Sequence, residues 1–145
     1  MKQKLIAVIG GNSVEQHLFD FANQVGKLIA EYNCILVCGG LGGVMEAAAK
    51  GAFESGGITI GILPGFEKKD ANPYISIPVV TGISTARNSI IARTCDLAIA
   101  IDGKYGTLSE IAYCLDFGKT VLGYKTHNID KVFPIQKPED IIKYL

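Results

Sequence analysis

The sequence predicts an α/β fold, a mainly parallel central sheet with helices on both faces, on three observations. Short runs rich in Val and Ile carry apolar residues at consecutive positions, the segments between them carry apolar residues at helical spacing, and glycines collect where the runs end. Consecutive apolar positions mark strands buried on both faces, because a strand with one wet face alternates polar with apolar. Strands that alternate with helices pair in parallel through right-handed crossovers, which places a helical layer on each side of the sheet.

The elements follow in order. KLIAVIG (4–10) is the first strand, and Phe19, Ala22, Val25, Gly26 and Ile29 form the buried stripe of the helix after it. CILVC (34–38) is the second strand, and Val44, Ala47, Ala48 and Phe53 belong to the next helix. ITIGIL (58–63) and SIPVVTG (76–82) are the third and fourth strands. The irregular stretch Pro64 to Pro78 between them, carrying Glu67, Lys68, Lys69 and Asp70, has the length of a lid or binding loop but equally of a solvated connector. Ile90 and Ile91 mark a helix before the fifth strand, DLAIAI (96–101). Ile111, Cys114 and Leu115 mark another, ended by Gly118 as a C-terminal glycine. TVLGY (120–124) is the sixth strand, and PEDIIKYL reads as a short closing helix begun at a proline. The whole is a Rossmann-like three-layer sandwich. Its 145 residues fit one domain, 1–145, long enough to bury ~70% of the unfolded surface.

Charge and composition narrow the partners. With 14 basic and 14 acidic residues the formal net charge is zero, so no long-range field draws in nucleic acid or an anionic bilayer. The opening MKQKLIAVIGG is too short for a secretory apolar core, and no apolar run nears ~18 residues, so a cytoplasmic location is expected. Cys34, Cys38, Cys95 and Cys114 show no CxxC spacing, and His17 and His127 are the sole histidines, so neither a metal set nor a disulfide framework is legible. Buried small apolar residues is the reading for the cysteines, and isolated surface side chains for the histidines.

Glycines collect at the strand ends where open α/β sheets hold their ligands. GGNS (10–13) follows the first strand, GGLGG (39–43) the second, GISTAR (82–87) the fourth and DGKYGT (102–107) the fifth. Each opens a helix, so backbone N–H groups and positive helix ends face one crevice, an arrangement suited to phosphate. The candidate ligand-binding residues are Gly11, Asn12 and Ser13; Gly39, Gly40, Gly42 and Gly43; and Gly103, Tyr105, Gly106 and Thr107. Structural readings compete. Ser13 with Gln16 and Thr107 with Glu110 both fit a capping box, and Ser84 fits a helix cap. Four glycines in five residues, by contrast, sacrifice backbone entropy unless left-handed backbone or close approach is needed.

Two better-known phosphate motifs fail. A dinucleotide fingerprint places its glycines after the first strand, whereas here they follow the second, with Met45 in place of the third glycine. Gly118-Lys119-Thr120 has the ending of a P-loop, but Tyr113 stands where its first glycine belongs, and the segment leads into a strand.

GGLGGVMEAAAKGA (39–52), GILPG (61–65), ARNSIIARTCDLAIAI (86–101) and GKYGTLSE (103–110) together resemble the LOG superfamily, named after the Lonely Guy phosphoribohydrolases and long mislabelled as lysine decarboxylases. NPYISIPVVTG and the short length are more similar to the branch that includes the molybdenum cofactor carrier proteins. In the phosphoribohydrolases the signature is PGGxGTxxE with an upstream arginine. Gly103, Gly106, Thr107 and Glu110 match it, and Arg87 aligns with the catalytic arginine. Asp102 replaces the proline, Lys104 the second glycine, and Asn88 a lysine, departures that tell against hydrolysis.

The resemblance implies two readings. One is a binding or carrier protein for a phosphorylated small molecule, of nucleotide or pterin type such as molybdopterin, with no further cofactor required. The other is a nucleoside 5'-monophosphate phosphoribohydrolase that cleaves the N-glycosidic bond, with Glu110 as the catalytic carboxylate and Arg87 orienting the nucleotide. Lysine decarboxylation is not implied, since no lysine lies in a recognisable pyridoxal phosphate context. A homodimer or homotetramer is the assembly the resemblance implies.

Overall fold

A parallel sheet has to be covered on both faces, and the sequence between its strands supplies the cover. The computed structural model describes residues 2–145. In chain order the elements are β1 (Leu5–Gly10), α1 (Gln16–Glu31), β2 (Ile35–Cys38), α2 (Val44–Glu54), β3 (Thr59–Leu63), β4 (Ile77–Val80), α3 (Arg87–Thr94), β5 (Leu97–Ile101), α4 (Tyr105–Asp116), β6 (Thr120–Tyr124) and β7 (Val132–Pro134). They form one 7-stranded sheet in the order β4-β3-β2-β1-β5-β6-β7, with every neighbouring pair parallel. The chain leaves β1 toward β2, β3 and β4, then returns to the other side of β1 to lay down β5. Strand order therefore reverses between β1 and β5, whose register runs from Ile6 opposite Leu97 to Gly10 opposite Ile101.

Period-two alternation sorts the strand side chains into two cores. Ile6, Val8, Leu36, Cys38, Ile99 and Ile101 pack with α1 and α2 on one face. Ala7, Ile9, Val37, Ala98, Ala100 and Val121 pack with buried residues of α3 and α4 on the other. Both faces of β1 and β5 are dry, as consecutive apolar residues require. All four cysteines are buried and unbridged, and among the described residues no helix is long and apolar enough to cross a membrane.

Several expectations need correction. β4 is an edge strand and not buried on both faces, with Ile77, Val79 and Val80 exposed, because its outer side has no neighbour. Phe53 and Ile90 lie on the outer sides of their helices. None of the side-chain caps forms. α1 begins after Glu15, α3 after Ala86 and α4 after Lys104, each without a side-chain cap hydrogen bond. Thr107 and Glu110 thus sit inside α4, not at its edge, and Ser84 lies in a 3-10 turn with φ 57°. The 64–78 stretch includes a 3-10 turn at Lys68–Asp70, the tail is a 3-10 helix over Pro138–Tyr144, and β7 is a strand the sequence reading did not find. Gly118 closes α4 in the left-handed region at φ 73°.

The two helices of the first face meet through glycine. A Cβ on Gly26 would stand 1.9 Å from the Ala48 carbonyl oxygen, and one on Gly51 2.0 Å from that of Asn23. This close approach seats α2 deep enough for Val44, at its start, to be fully buried beside β1. Gly26→Ala and Gly51→Ala should each push the helices apart and destabilise by about 1–3 kcal/mol despite the better helix propensity of alanine. Urea denaturation of the two variants measures this.

Candidate functional site

The reversal of strand order leaves a crevice at the carboxyl ends of β1 and β5, the place where open α/β sheets bind ligands. Its volume is about 420 Å³. Gly10, Gly11, Asn12 and Ser13 line it after β1, Leu41 and Met45 after β2, Asp102, Lys104, Gly106, Thr107 and Glu110 after β5, and Thr85, Arg87 and Asn88 around the start of α3.

Of the residues singled out from the sequence, Gly11, Asn12, Ser13, Arg87, Gly106, Thr107 and Glu110 are together in this lining. Gly39, Gly40, Gly42, Gly43, Gly103 and Tyr105 are not among the lining residues; the glycine-rich turn at 39–43 reaches the crevice through Leu41 and is fastened to the loop after β1. The Gly42 N–H donates to Asn12 Oδ1 at 3.0 Å, the Val44 N–H to the Gly11 carbonyl at 2.9 Å, and the Gly40 N–H to Cys38 Sγ at 3.4 Å. Gly43, at φ 62° and ψ −126°, takes a backbone shape that side chains resist, and its Cα abuts the Gly11 carbonyl, where a Cβ would lie 2.1 Å away. Gly39 clears room for arginine, since a Cβ there would meet Arg87 Nη2 at 2.6 Å. The Tyr105 side chain is 87% exposed.

Free amides come from the other two loops. The N–H groups of Asn12 and Ser13, and those of Tyr105, Gly106 and Thr107 in the first turn of α4, donate to no protein acceptor among the described residues, whereas that of Gly11 faces Ile101 across the β1–β5 ladder. The α4 turn adds the positive end of its dipole. The loop after β5 is braced from β6: Thr126 Oγ1 donates to the Asp102 carbonyl at 2.7 Å, and His127 Nε2 lies 2.8 Å from the Lys104 carbonyl. The sequence reading did not single out Gly10, Leu41, Met45 or Thr85 for this site. Gly10, Leu41 and Thr85 nevertheless fall within the strand-end stretches GGNS, GGLGG and GISTAR that the sequence marks.

Arg87 and Glu110 form the buried polar floor, at 8% and 7% exposure. Arg87 is held by the Asn88 side-chain oxygen through Nη1 and by the Gly39 carbonyl through Nη2 at 3.4 Å, while its Nε has no partner. Asn88 in turn donates to Ser109 Oγ at 3.1 Å, tying α3 to α4. Glu110 makes neither a hydrogen bond nor an ion pair within 4.0 Å among the described residues. Burial pushes its carboxyl up from 4.5 to about 7, and the nearby Arg87 charge opposes that shift. Burial likewise pulls the Arg87 pKa down, with Glu110 opposing. Cys38, beneath them, is pushed up to about 12 by burial and stays a neutral thiol. No group of three or more His, Cys, Asp or Glu is placed to hold a metal ion among the described residues.

Doubly wound topology with a crevice at the strand reversal places the chain in the Rossmann-like class of α/β proteins. Residues 3–144 match the model of the SLOG cluster4 family, and the chain belongs to that family, within the LOG superfamily. It is 42% identical to a protein of Archaeoglobus fulgidus over 99% of this chain and 95% of that one. Among solved structures it is similar to the molybdenum cofactor binding protein of Rippkaea orientalis, with TM-score 0.93, 32% identity, and 99% and 96% of the two chains covered. The molybdenum cofactor carrier protein of Chlamydomonas reinhardtii is similar at TM-score 0.89 and 31% identity, with 99% and 96% covered.

The raised Glu110 pKa sets a stability profile. Between pH 4.5 and about 7 the folded chain keeps a proton that the unfolded chain has released, so stability falls as pH rises through that window and is flat above it. Glu110→Gln removes the effect and should be more stable than the parent at pH 8 by on the order of 2–4 kcal/mol, with the difference vanishing near pH 4. Urea titrations at the two pH values measure it.

Proposed function

We propose that this protein binds and carries a phosphorylated small molecule of pterin type in the crevice between β1 and β5. The observation that carries the reading is the set of uncommitted amides that line the crevice from two loops, Asn12 and Ser13 after β1 and Gly106 and Thr107 after β5, beside a buried arginine. N–H groups at a helix start suit a phosphate, and the cavity falls within the ~300–1,000 Å³ typical of small-molecule sites. Support for a pterin comes from the solved structures described as molybdenum cofactor proteins, similar to this chain over nearly its full length. The residues present fit such a cargo: the two amide loops would hold its phosphate, with Arg87 and Lys104 adding positive charge.

A second reading is favoured by one observation, the pairing of a buried arginine with a carboxyl near neutrality. In a phosphoribohydrolase Glu110 would stabilise positive charge at the ribose C1', and Arg87 would orient the nucleotide. Asp102 and Lys104, in place of the proline and glycine of the enzyme signature, favour the carrier. We further place the protein in a homodimer or homotetramer, in which the apolar β4 edge would be covered; light scattering reads that mass.

Protein purified from its own host should bring along a pterin visible by absorbance and fluorescence, and incubation with AMP should release no adenine by chromatography. A folded, pterin-free protein that liberates adenine overturns the carrier reading in favour of the enzyme. For the cradle itself, Gly106→Pro removes one lining N–H in the first turn of α4, where proline is tolerated because that N–H has no intrahelical acceptor. Phosphate affinity should fall about tenfold relative to Gly106→Ala, whose added Cβ meets nothing, the loss of one charge-assisted hydrogen bond. Calorimetric titration with inorganic phosphate makes the comparison.

A further inference from the structure

Arg87 and Glu110 carry opposite charges, are both more than nine-tenths buried, line the same cavity and yet do not pair. Desolvating two such groups without letting them meet is costly unless a third party completes their hydrogen bonds. Arg87 Nε is a buried donor without a partner, and the Glu110 oxygens, which accept no protein hydrogen bond among the described residues, open into the cavity. Resting on the carrier reading above, we propose that this floor recognises the 2-amino-4-oxo-pyrimidine edge shared by pterins and guanine, with Glu110 accepting from the ring N–H and the 2-amino group and Arg87 donating to the 4-oxo oxygen. That edge presents one acceptor beside two donors, the complement of what the floor offers. Adenine presents a bare ring nitrogen, which would set lone pair against lone pair at the Glu110 carboxylate. Glu110 lies three residues past Thr107 on α4, about 4.5 Å along the helix, so the ring and the phosphate fall to different parts of one cavity.

This assignment has its own pH signature. Two donors on Glu110 favour its ionised form, so binding of such an edge draws the carboxyl down from about 7 and releases a proton. Arg87, from α3, is the charge that faces Glu110, and it stays positive. The Cys38 thiol from β2 is neutral, as is Cys114 on α4 itself, which its hydrogen bond with Cys95 and then burial push up. Asp102 and Lys104 share the cavity from the loop after β5.

The test is calorimetric titration of the full chain with GMP, IMP, AMP, 6-hydroxymethylpterin phosphate and inorganic phosphate between pH 5.5 and 8.5. Ratios between nucleotides cancel the titration of the shared phosphate. GMP should bind at least tenfold more tightly than AMP or IMP at pH 8, IMP lacking only the 2-amino group. The GMP to AMP ratio should rise with pH up to about 7 and then level. Glu110→Gln should abolish the preference while retaining affinity for inorganic phosphate. The tighter of GMP and the pterin phosphate identifies which bearer of the edge the cavity takes. Equal binding of GMP and AMP, or a preference that survives Glu110→Gln, overturns this inference and leaves phosphate binding standing. If neither phosphate nor any of the phosphorylated probes binds, the carrier reading falls with it.

Discussion

The structure depends on the position of β1, which must be paired on both edges and covered on both faces. Because β2 takes one edge and β5 the other, the loops that leave β1 and β5 diverge to opposite sides of the sheet and leave a gap between them. Everything chemical in the molecule is arranged around that gap. α4 starts there because β5 ends there, and its first amides have no protein carbonyl to bond. α3 reaches it from the same face, so Arg87 at its first position and Glu110 one turn and a half into α4 share a floor.

The packing beneath the site is as much a requirement as its polar groups. Gly26 and Gly51 bring α1 and α2 close enough for α2 to sit on β1, and Gly43 lets the backbone enter α2 while touching the Gly11 carbonyl. Small residues on the opposite face, Ala98 and Ala100, lie under α3 and α4. Glycine in this chain thus serves contact between backbone segments at least as often as it serves a cavity. In the 39–43 turn, the richest glycine cluster in the sequence, Leu41 and not a glycine lines the crevice.

Much of this architecture was legible in the sequence because its rules are local. Val/Ile runs at consecutive positions announced the buried strands, and their alternation with helical stripes announced the parallel sheet. What escaped depends on tertiary context. β7 is three residues long and takes its identity from pairing with β6. The exposure of β4 follows from its place at the edge, which periodicity does not encode. The capping boxes failed because helix starts shifted by a few residues, turning Thr107 and Glu110 from cap into interior. Arg87, Glu110 and the loops at 11–13 and 106–107 could be singled out from motif spacing. Leu41, Met45 and Thr85 could not, since ordinary residue types become lining only through the fold.

Asn72 gives the segment between β3 and β4 a larger part than a connector would have. Its N–H donates to the Gly40 carbonyl at 2.9 Å and its side-chain amide to the Leu41 carbonyl at 2.9 Å, while Gly42 is fastened to Asn12. A continuous string of backbone fastenings therefore runs from the outer edge of the sheet to the loop after β1. The segment between β3 and β4 is thereby fixed, through the 39–43 turn, to the loop that lines the cavity after β1.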